Sequence, residues 1–248
     1  MFADEEYDKA AIEFLQIPDI LRRQKQLGGR LLPNEIFAER KILGWKKKAE
    51  GLVERTKSPT QGKSLYGQCL NGDTLRQTVV VNPLWELIYL WNGIPHVNTD
   101  VLTQMKIKLQ SQIVHPSTET QSTTLLPPDA QSDTAILYLL YATVMRELGH
   151  LGTSEEYLNK LIAMDKCIFE DRWAIAYAMY ELAVVAAMDR NRTNEAKKWV
   201  KNAENFFQGN HQMAHSPSDL GSNNGDYDWE NRLHVRCQLL LERLDESS

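Results

Sequence analysis

Thr134-Ala-Ile-Leu-Tyr-Leu-Leu-Tyr-Ala-Thr-Val-Met-Arg-Glu-Leu-Gly149 and, 42 residues further on, Ala176-Tyr-Ala-Met-Tyr-Glu-Leu-Ala-Val-Val-Ala-Ala-Met-Asp-Arg-Asn191 set similar residues at the same intervals. Tyr138, Tyr141 and Met145 stand at offsets 4, 7 and 11 from the start of the first stretch, with Ala142 beside them and a turn at Gly149. Tyr180, Ala183 and Ala187 stand at those offsets in the second, with Val184 beside them and a turn at Asn191. Steps of three and four residues put such side chains on one face of a helix. Each stretch is followed by a second helical pattern, one over 154–164 and one carrying Ala196, Val200 and Ala203 before Phe206. Small residues there let the two helices of a pair pack closely.

Large residues at 4, 7 and 11, a small one beside them, a turn near 15 and alanine at 20 and 27 make the pattern of a tetratricopeptide repeat. Ala196 and Ala203 fit it, whereas Ser154 and Leu161 stand where alanine is expected and Ala183 where leucine is. The 42-residue offset also exceeds the roughly 34 residues of the standard repeat. The expected fold is all-α, an α-solenoid of tetratricopeptide-like helix pairs forming an α-α superhelix. One repeat domain is expected over 1–248, with helical blocks at about 5–50, 82–113, 134–165 and 172–207 and a capping helix at 228–244. Three stretches rich in Gly, Pro, Ser, Thr, Asn and Gln, 51–81, 115–132 and 208–226, read as loops.

Working toward the amino terminus, Asn82-Pro83 is a capping residue followed by proline at a first helical position. Leu84, Trp85, Leu87, Ile88, Leu90 and Trp91 then predict a helix buried on most sides, ended by Asn92-Gly93. Val97, Val101, Leu102, Met105, Leu109 and Ile113 predict an amphipathic partner from about Thr99, the two forming a hairpin. In the first block Ile12, Leu15, Ile20, Leu21 and Leu27 keep to one side, with Pro18 expected to kink or split the helix and Gly28 to end it. Ile36, Phe37 and Leu43 are expected to face a core with Arg40 at its margin, and Lys46-Lys47-Lys48 to form a solvated helix end. In the capping helix Trp229, Leu233, Val235, Leu239 and Leu240 are the expected apolar contacts.

Composition narrows the function classes. Of the 248 residues 42% are apolar, enough for a substantial core. With 28 basic against 33 acidic residues the net charge is -5, which removes the electrostatic support that nucleic-acid binding needs. Cys69, Cys167 and Cys237 are too far apart to draw a disulfide framework or a zinc pattern, so a reducing compartment is expected. The longest apolar run, 174–188, is interrupted by Glu181 and falls short of the roughly 20 residues of a membrane helix. The acidic start, Met1 to Lys9, does not read as a signal peptide, so a cytoplasmic protein with a nuclear or organelle-surface pool is expected.

The residues that could carry chemistry do not converge. Gly62-Lys63-Ser64 has the tail of a phosphate-binding loop, but Lys57 stands where its first glycine belongs. His211 and His215 have metal-ligand spacing without a third ligand in register. His234 is read as hydrogen-bonding a neighbouring helix, and Asn191-Arg192-Thr193 as an inter-helix turn rather than a used glycosylation site. Ser58-Pro59, Ser132-Asp133 and Ser216-Pro217 are candidate phosphorylation sites or simple turns. Trp85, Trp91, Trp173 and Trp199 are assigned to the core, Trp45 and Trp229 to a helix margin or a partner. No enzyme activity, cofactor or metal is expected.

Several stretches resemble one family. Phe14-Leu-Gln-Ile-Pro18, Gln26-Leu-Gly-Gly29 and Pro33-Asn-Glu-Ile-Phe37-Ala-Glu-Arg-Lys41 resemble the entry to the C-terminal half of the tetratricopeptide repeat protein 39 family, which includes the fungal inclusion body clearance proteins. Asn82-Pro-Leu-Trp-Glu-Leu-Ile-Tyr-Leu-Trp-Asn-Gly93, Tyr177-Ala-Met-Tyr-Glu-Leu182 and Asp226-Tyr-Asp-Trp-Glu-Asn-Arg-Leu-His234 are similar to later motifs, in the family's order. The resemblance implies a helical repeat protein that binds other proteins, in a family connected to lipid and cholesterol handling, protein turnover and, in fungi, clearance of inclusions. Members are about twice this length or more, so the chain reads as a C-terminal portion, a short isoform or a divergent member.

The expected function is a non-enzymatic scaffold or adaptor whose concave face takes a peptide or a partner helix. Repeat geometry puts Ile136, Leu139, Thr143, Arg146 and Glu147, then Ala178, Glu181, Val185, Met188 and Asp189, on that face. Arg146 and Glu181 are the expected charged contacts, unless they pair with each other or with solvent. The alternative is a protein peripheral to lipid droplets or membranes, for which Lys46 to Lys48 is the only basic cluster.

Overall fold

The structure, a computed structural model, describes residues 5–29, 31–56, 70–113, 128–168, 171–210 and 224–246. Among them every regular element is a helix. The chain divides into two compact units, Met1–Leu84 and Trp85–Ser248.

The first unit packs three helices, α1 (Tyr7–Gln26), α2 (Pro33–Thr56) and α3 (Gly72–Thr78). The chain stays helical through Pro18, so α1 is not split there. The lost backbone donor costs about 3 kcal/mol, and burial of Phe14, Ile17 and Leu21 on either side of it offsets that cost. α1 ends as expected at Gly28, with φ +78, where Gly28 N donates to the Lys25 carbonyl and Gly29 N to that of Gln24.

Its buried face differs from the expected one. Ala10, Ala11, Phe14, Ile17 and Leu21 face inward, while Ile12, Ile20 and Leu27 are exposed. The alanines, weak as hydrophobic markers, serve because α3 approaches α1 closely: a Cβ on Gly72 would come 2.9 Å from the Asp8 backbone nitrogen. In α2 the inward residues are Phe37, Ile42, Trp45 and Ala49, and Leu43 is exposed. Phe14 and Trp45 meet with ring centroids 5.3 Å apart.

Two boundary expectations change here. α2 continues to Thr56, so Lys46 to Lys48 lie within it rather than at its end. The stretch expected as a loop over 51–81 also contains α3, started by Asn71: Thr74 N donates to Asn71 Oδ1 and Asn71 N to Thr74 Oγ1, both at 2.9 Å. This reciprocal cap is what holds a seven-residue helix in a polar stretch.

The second unit starts within α4 (Pro83–Leu90), whose Leu84 N is capped by Asn82 Oδ1. Asn92, at φ 59, turns the chain, and Gly93 N donates to the Ile88 carbonyl at 2.7 Å. A short 3-10 turn, Ile94–His96, leads to α5 (Thr99–Ile113), capped by Asn98 Oδ1 on Val101 N. Then come α6 (Pro128–Glu147), α7 (Leu151–Ala163), α8 (Trp173–Ala187), α9 (Thr193–Asn210) and α10 (Asn224–Glu246). α6, α9 and α10 therefore extend into stretches expected as loops.

Consecutive helices from α5 to α10 pack against each other, and α8 also contacts α6 and α10. This arrangement is consistent with a tetratricopeptide-like helical repeat. α5 lies along α6 rather than forming the expected hairpin with α4. α4 is buried or half-buried at every position but Leu84, although its most deeply buried residues include the polar Glu86 and Tyr89 beside Leu90. At the close contacts of the repeat, Ala196, Val200 and Ala203 are fully buried, as are Ser154 and Leu161.

Candidate functional site

α8 is apolar nearly all round, with buried Trp173, Ile175, Tyr177, Leu182 and Val185, and it carries one buried charge, Glu181. A lone carboxylate at such depth needs partners. Glu181 Oε2 accepts from Arg146 Nε of α6 at 3.0 Å and lies 3.0 Å from the Nη2 of that guanidinium. Its Oε1 accepts from the Tyr89 hydroxyl of α4 at 3.0 Å. Arg146 Nη1 in turn is 2.6 Å from Glu147 Oε1.

α10 completes the cluster. Arg236 donates Nη2 to the carbonyls of Tyr89, at 2.8 Å, and Leu90, at 3.0 Å, neutralising the negative end of α4. Its guanidinium lies 5.5 Å from the Tyr89 ring centroid and 5.2 Å from that of Tyr177. The Tyr177 hydroxyl donates to the Trp229 carbonyl at 2.9 Å.

The proton affinities follow from this packing. Burial, then the Glu181 charge, hold the Tyr89 phenol well above its ordinary range. Burial pushes Tyr180 up to about 12, with Glu181 adding to it. For Arg146 burial works against the charged form, but Glu181 and Glu147 outweigh it and its proton affinity rises. These are groups locked in one protonation state across the physiological range, suited to structure and recognition rather than proton transfer.

The structure brings Arg146 and Glu181 together as a pair. Ile136, Leu139, Thr143, Ala178 and Val185 are buried around them, and the Thr143 hydroxyl donates to the Leu139 carbonyl at 2.8 Å. Of the predicted face only its far edge reaches the surface: Met188 is 52% exposed, Asp189 is exposed and Glu147 partly so, all at the C-terminal ends of α6 and α8. Tyr89 and Arg236 were not among the predicted residues. Their signal was a tyrosine on a largely apolar short helix and an arginine four residues from another.

Other candidates fall as follows. His234 Nδ1 lies 3.2 Å from Glu204 Oε1 of α9, the expected inter-helix contact, beside a cavity of about 260 Å³ lined by Glu204, Asn231, Leu233 and Gln238. Asn191 and Arg192 lie in a 3-10 turn before α9, where Arg192 binds both Glu155 and Glu195. Trp45 and Trp229, expected at margins, are buried, whereas Trp91 is 54% exposed. Among the described residues no group of three or more His, Cys, Asp or Glu could hold a metal ion, and Cys167 and Cys237 are free. No described helix is long and apolar enough to cross a membrane. Gly62-Lys63-Ser64, His211, His215, Ser58, Ser216 and Cys69 lie outside the described residues.

The family model described as Iml2/Tetratricopeptide repeat protein 39 matches residues 2–148. The inclusion body clearance protein IML2 of Schizosaccharomyces pombe is 28% identical over 169 residues, covering 68% of this chain and 25% of its own length. That of Aspergillus niger is 25% identical over 185 residues, covering 73% and 23%. That of Aspergillus clavatus is 24% identical over 189 residues, covering 75% and 23%. The chain thus spans about a quarter of the length of the curated relatives it matches. No solved structure matches.

Proposed function

The chain belongs to the Iml2/Tetratricopeptide repeat protein 39 family, and on that footing we propose that it is a non-enzymatic scaffold or adaptor that binds another protein. The observation that supports this reading is the exposure at the C-terminal ends of α6 and α8, where half-exposed Met188 is followed by exposed Asp189 and, on α6, Glu147 is partly exposed. An apolar anchor next to an acid suits a partner that brings an apolar side chain and a basic one. In this reading the rest of the predicted face, from Ile136 to Arg146 and from Ala178 to Val185, supports that edge from below. The relatives' name supports a role in clearing protein inclusions, in a cytoplasmic setting. The lipid-surface alternative has only Lys46, Lys47 and Lys48 in its favour.

The test places a photo-crosslinking amino acid at Met188 and, separately, reverses Asp189 to Lys. Crosslinks to a defined set of proteins that disappear in the Asp189→Lys background support the edge. A crosslinking pattern no different from that of an exposed control position on α7 discards it. Flotation with anionic vesicles at two salt concentrations checks the alternative.

A further inference from the structure

α10 presents two faces. Trp229, Leu233, Cys237, Leu240 and Leu244 are buried within the second unit. On the opposite side Val235 is 57% and Leu239 53% exposed, though sequence periodicity assigned both to the covered face. They belong to a stripe, Arg232, Val235, Leu239 and Glu242, at steps of three, four and three. That is the a/d spacing of a helix seam, read here on the outside of the molecule.

The order along the stripe is cation, apolar, apolar, anion, and it is symmetric about Cys237: Arg232 and Glu242 stand five residues to either side, Val235 and Leu239 two. Among the described residues neither Arg232 nor Glu242 has an ion-pair partner. The Arg232 guanidinium lies over exposed Trp91, 3.8 Å from its ring centroid, which holds the charge in place at the end of the stripe.

We propose that α10 pairs antiparallel with α10 of a second copy of this chain about a two-fold axis beside Cys237. In that pairing Arg232 meets Glu242 of the partner copy and Val235 meets its Leu239, so each apolar layer and each ion pair occurs twice. A parallel pairing would instead set Arg232 against Arg232 and Glu242 against Glu242. The charge pattern therefore chooses both the occupant and its direction. The stripe spans about 15 Å of helix, so the contact is small and the association weak.

Sedimentation equilibrium of the 248-residue chain at about 5 to 500 μM tests it, a range set by the small contact. The expected result is a reversible monomer–dimer equilibrium. Arg232→Glu alone and Glu242→Arg alone each set like charges together and weaken the dimer about tenfold or more. Mixed in equal amounts, these two variants place opposite charges at both ends and recover association as a heterodimer. Val235→Asp abolishes it, with circular dichroism confirming that every variant keeps its helix content. A chain that stays monomeric throughout the range overturns the proposal. So does a dimer that is indifferent to Val235→Asp, or single variants that associate no better when mixed.

Discussion

Arg146 and Glu181, 35 residues apart on α6 and α8, meet at one carboxylate oxygen, with Nε and Nη2 both 3.0 Å from Glu181 Oε2. The pair occupies the place where repeat geometry would put contacts to a ligand, and the third helix to reach it, α4, does so through the Tyr89 hydroxyl. Removing one member leaves the other buried and unpaired. Glu181→Gln is expected to lower the unfolding free energy by about 3 kcal/mol, whereas exchanging the whole pair for apolar side chains, Arg146→Met together with Glu181→Leu, costs clearly less. Urea unfolding of the parent chain and the two variants measures this; a double variant worse than the single one contradicts it.

Ser154 fills a fully buried position where the repeat takes alanine, and its hydroxyl has no hydrogen-bond partner among the described residues. Ser154→Ala removes an orphaned polar group and improves helix propensity. A gain of about 1 kcal/mol is expected, read as a higher urea midpoint with an unchanged slope.

Two glycines are expected to respond oppositely to alanine. At Gly72 the new Cβ would lie 2.1 Å from Asp8 Oδ1 and 2.9 Å from the Asp8 backbone nitrogen, so α3 or α1 must shift. At Gly44, within α2, the same atom meets nothing within 4 Å. Gly72→Ala is expected to cost about 1–3 kcal/mol and Gly44→Ala to add about 0.5–1 kcal/mol. Thermal melts of the two variants side by side decide it.

Alkali should destabilise the second unit, because its buried phenols and thiol hold their protons more tightly in the folded chain than in the unfolded one. Burial raises Cys237 from 9.0 to about 12 and Tyr180 from 10.0 to about 12, and raises Tyr89 and Tyr177 as well. A folded state that holds these protons more tightly than the unfolded chain keeps their full contribution below the unfolded values and loses it as pH climbs through the folded ones. Stability is therefore expected to fall steadily from about pH 9 toward pH 12. Urea midpoints across that range provide the check, with Cys237→Ser expected to shift the onset toward pH 10.

The helix class was legible because it rests on local signals: Asn82-Pro83, Gly28 and Gly149 each start or stop a helix in the way their chemistry dictates. The Arg146–Glu181 pairing was also within reach, as one of two readings of the repeat offset. Which side of a helix is buried was harder. Ile12, Leu43, Val235 and Leu239 are as apolar as the residues that turned inward, and only the position of a neighbouring helix separates them. α3 was missed because its cap uses Asn71 and Thr74 rather than the commoner serine and glutamate. The exchange of Trp91 and Trp229 has a similar cause: one lies just past the end of α4 and the other on the inner face of α10, facts of tertiary placement rather than spacing.

In a stack whose repeats touch only their immediate neighbours, helix pairs can peel away one after another from either end. α8 works against that. It touches α6, α7, α9 and α10, and through Glu181 it also grips α4. Melting any one of these helices uncovers α8, and uncovering α8 releases the rest. α5, which packs on α6, lies outside this ring and can fray, but α4 and α6 to α10 are expected to stay folded or fail in one step, and a shortened chain that stops before Trp173 forfeits the element on which they close.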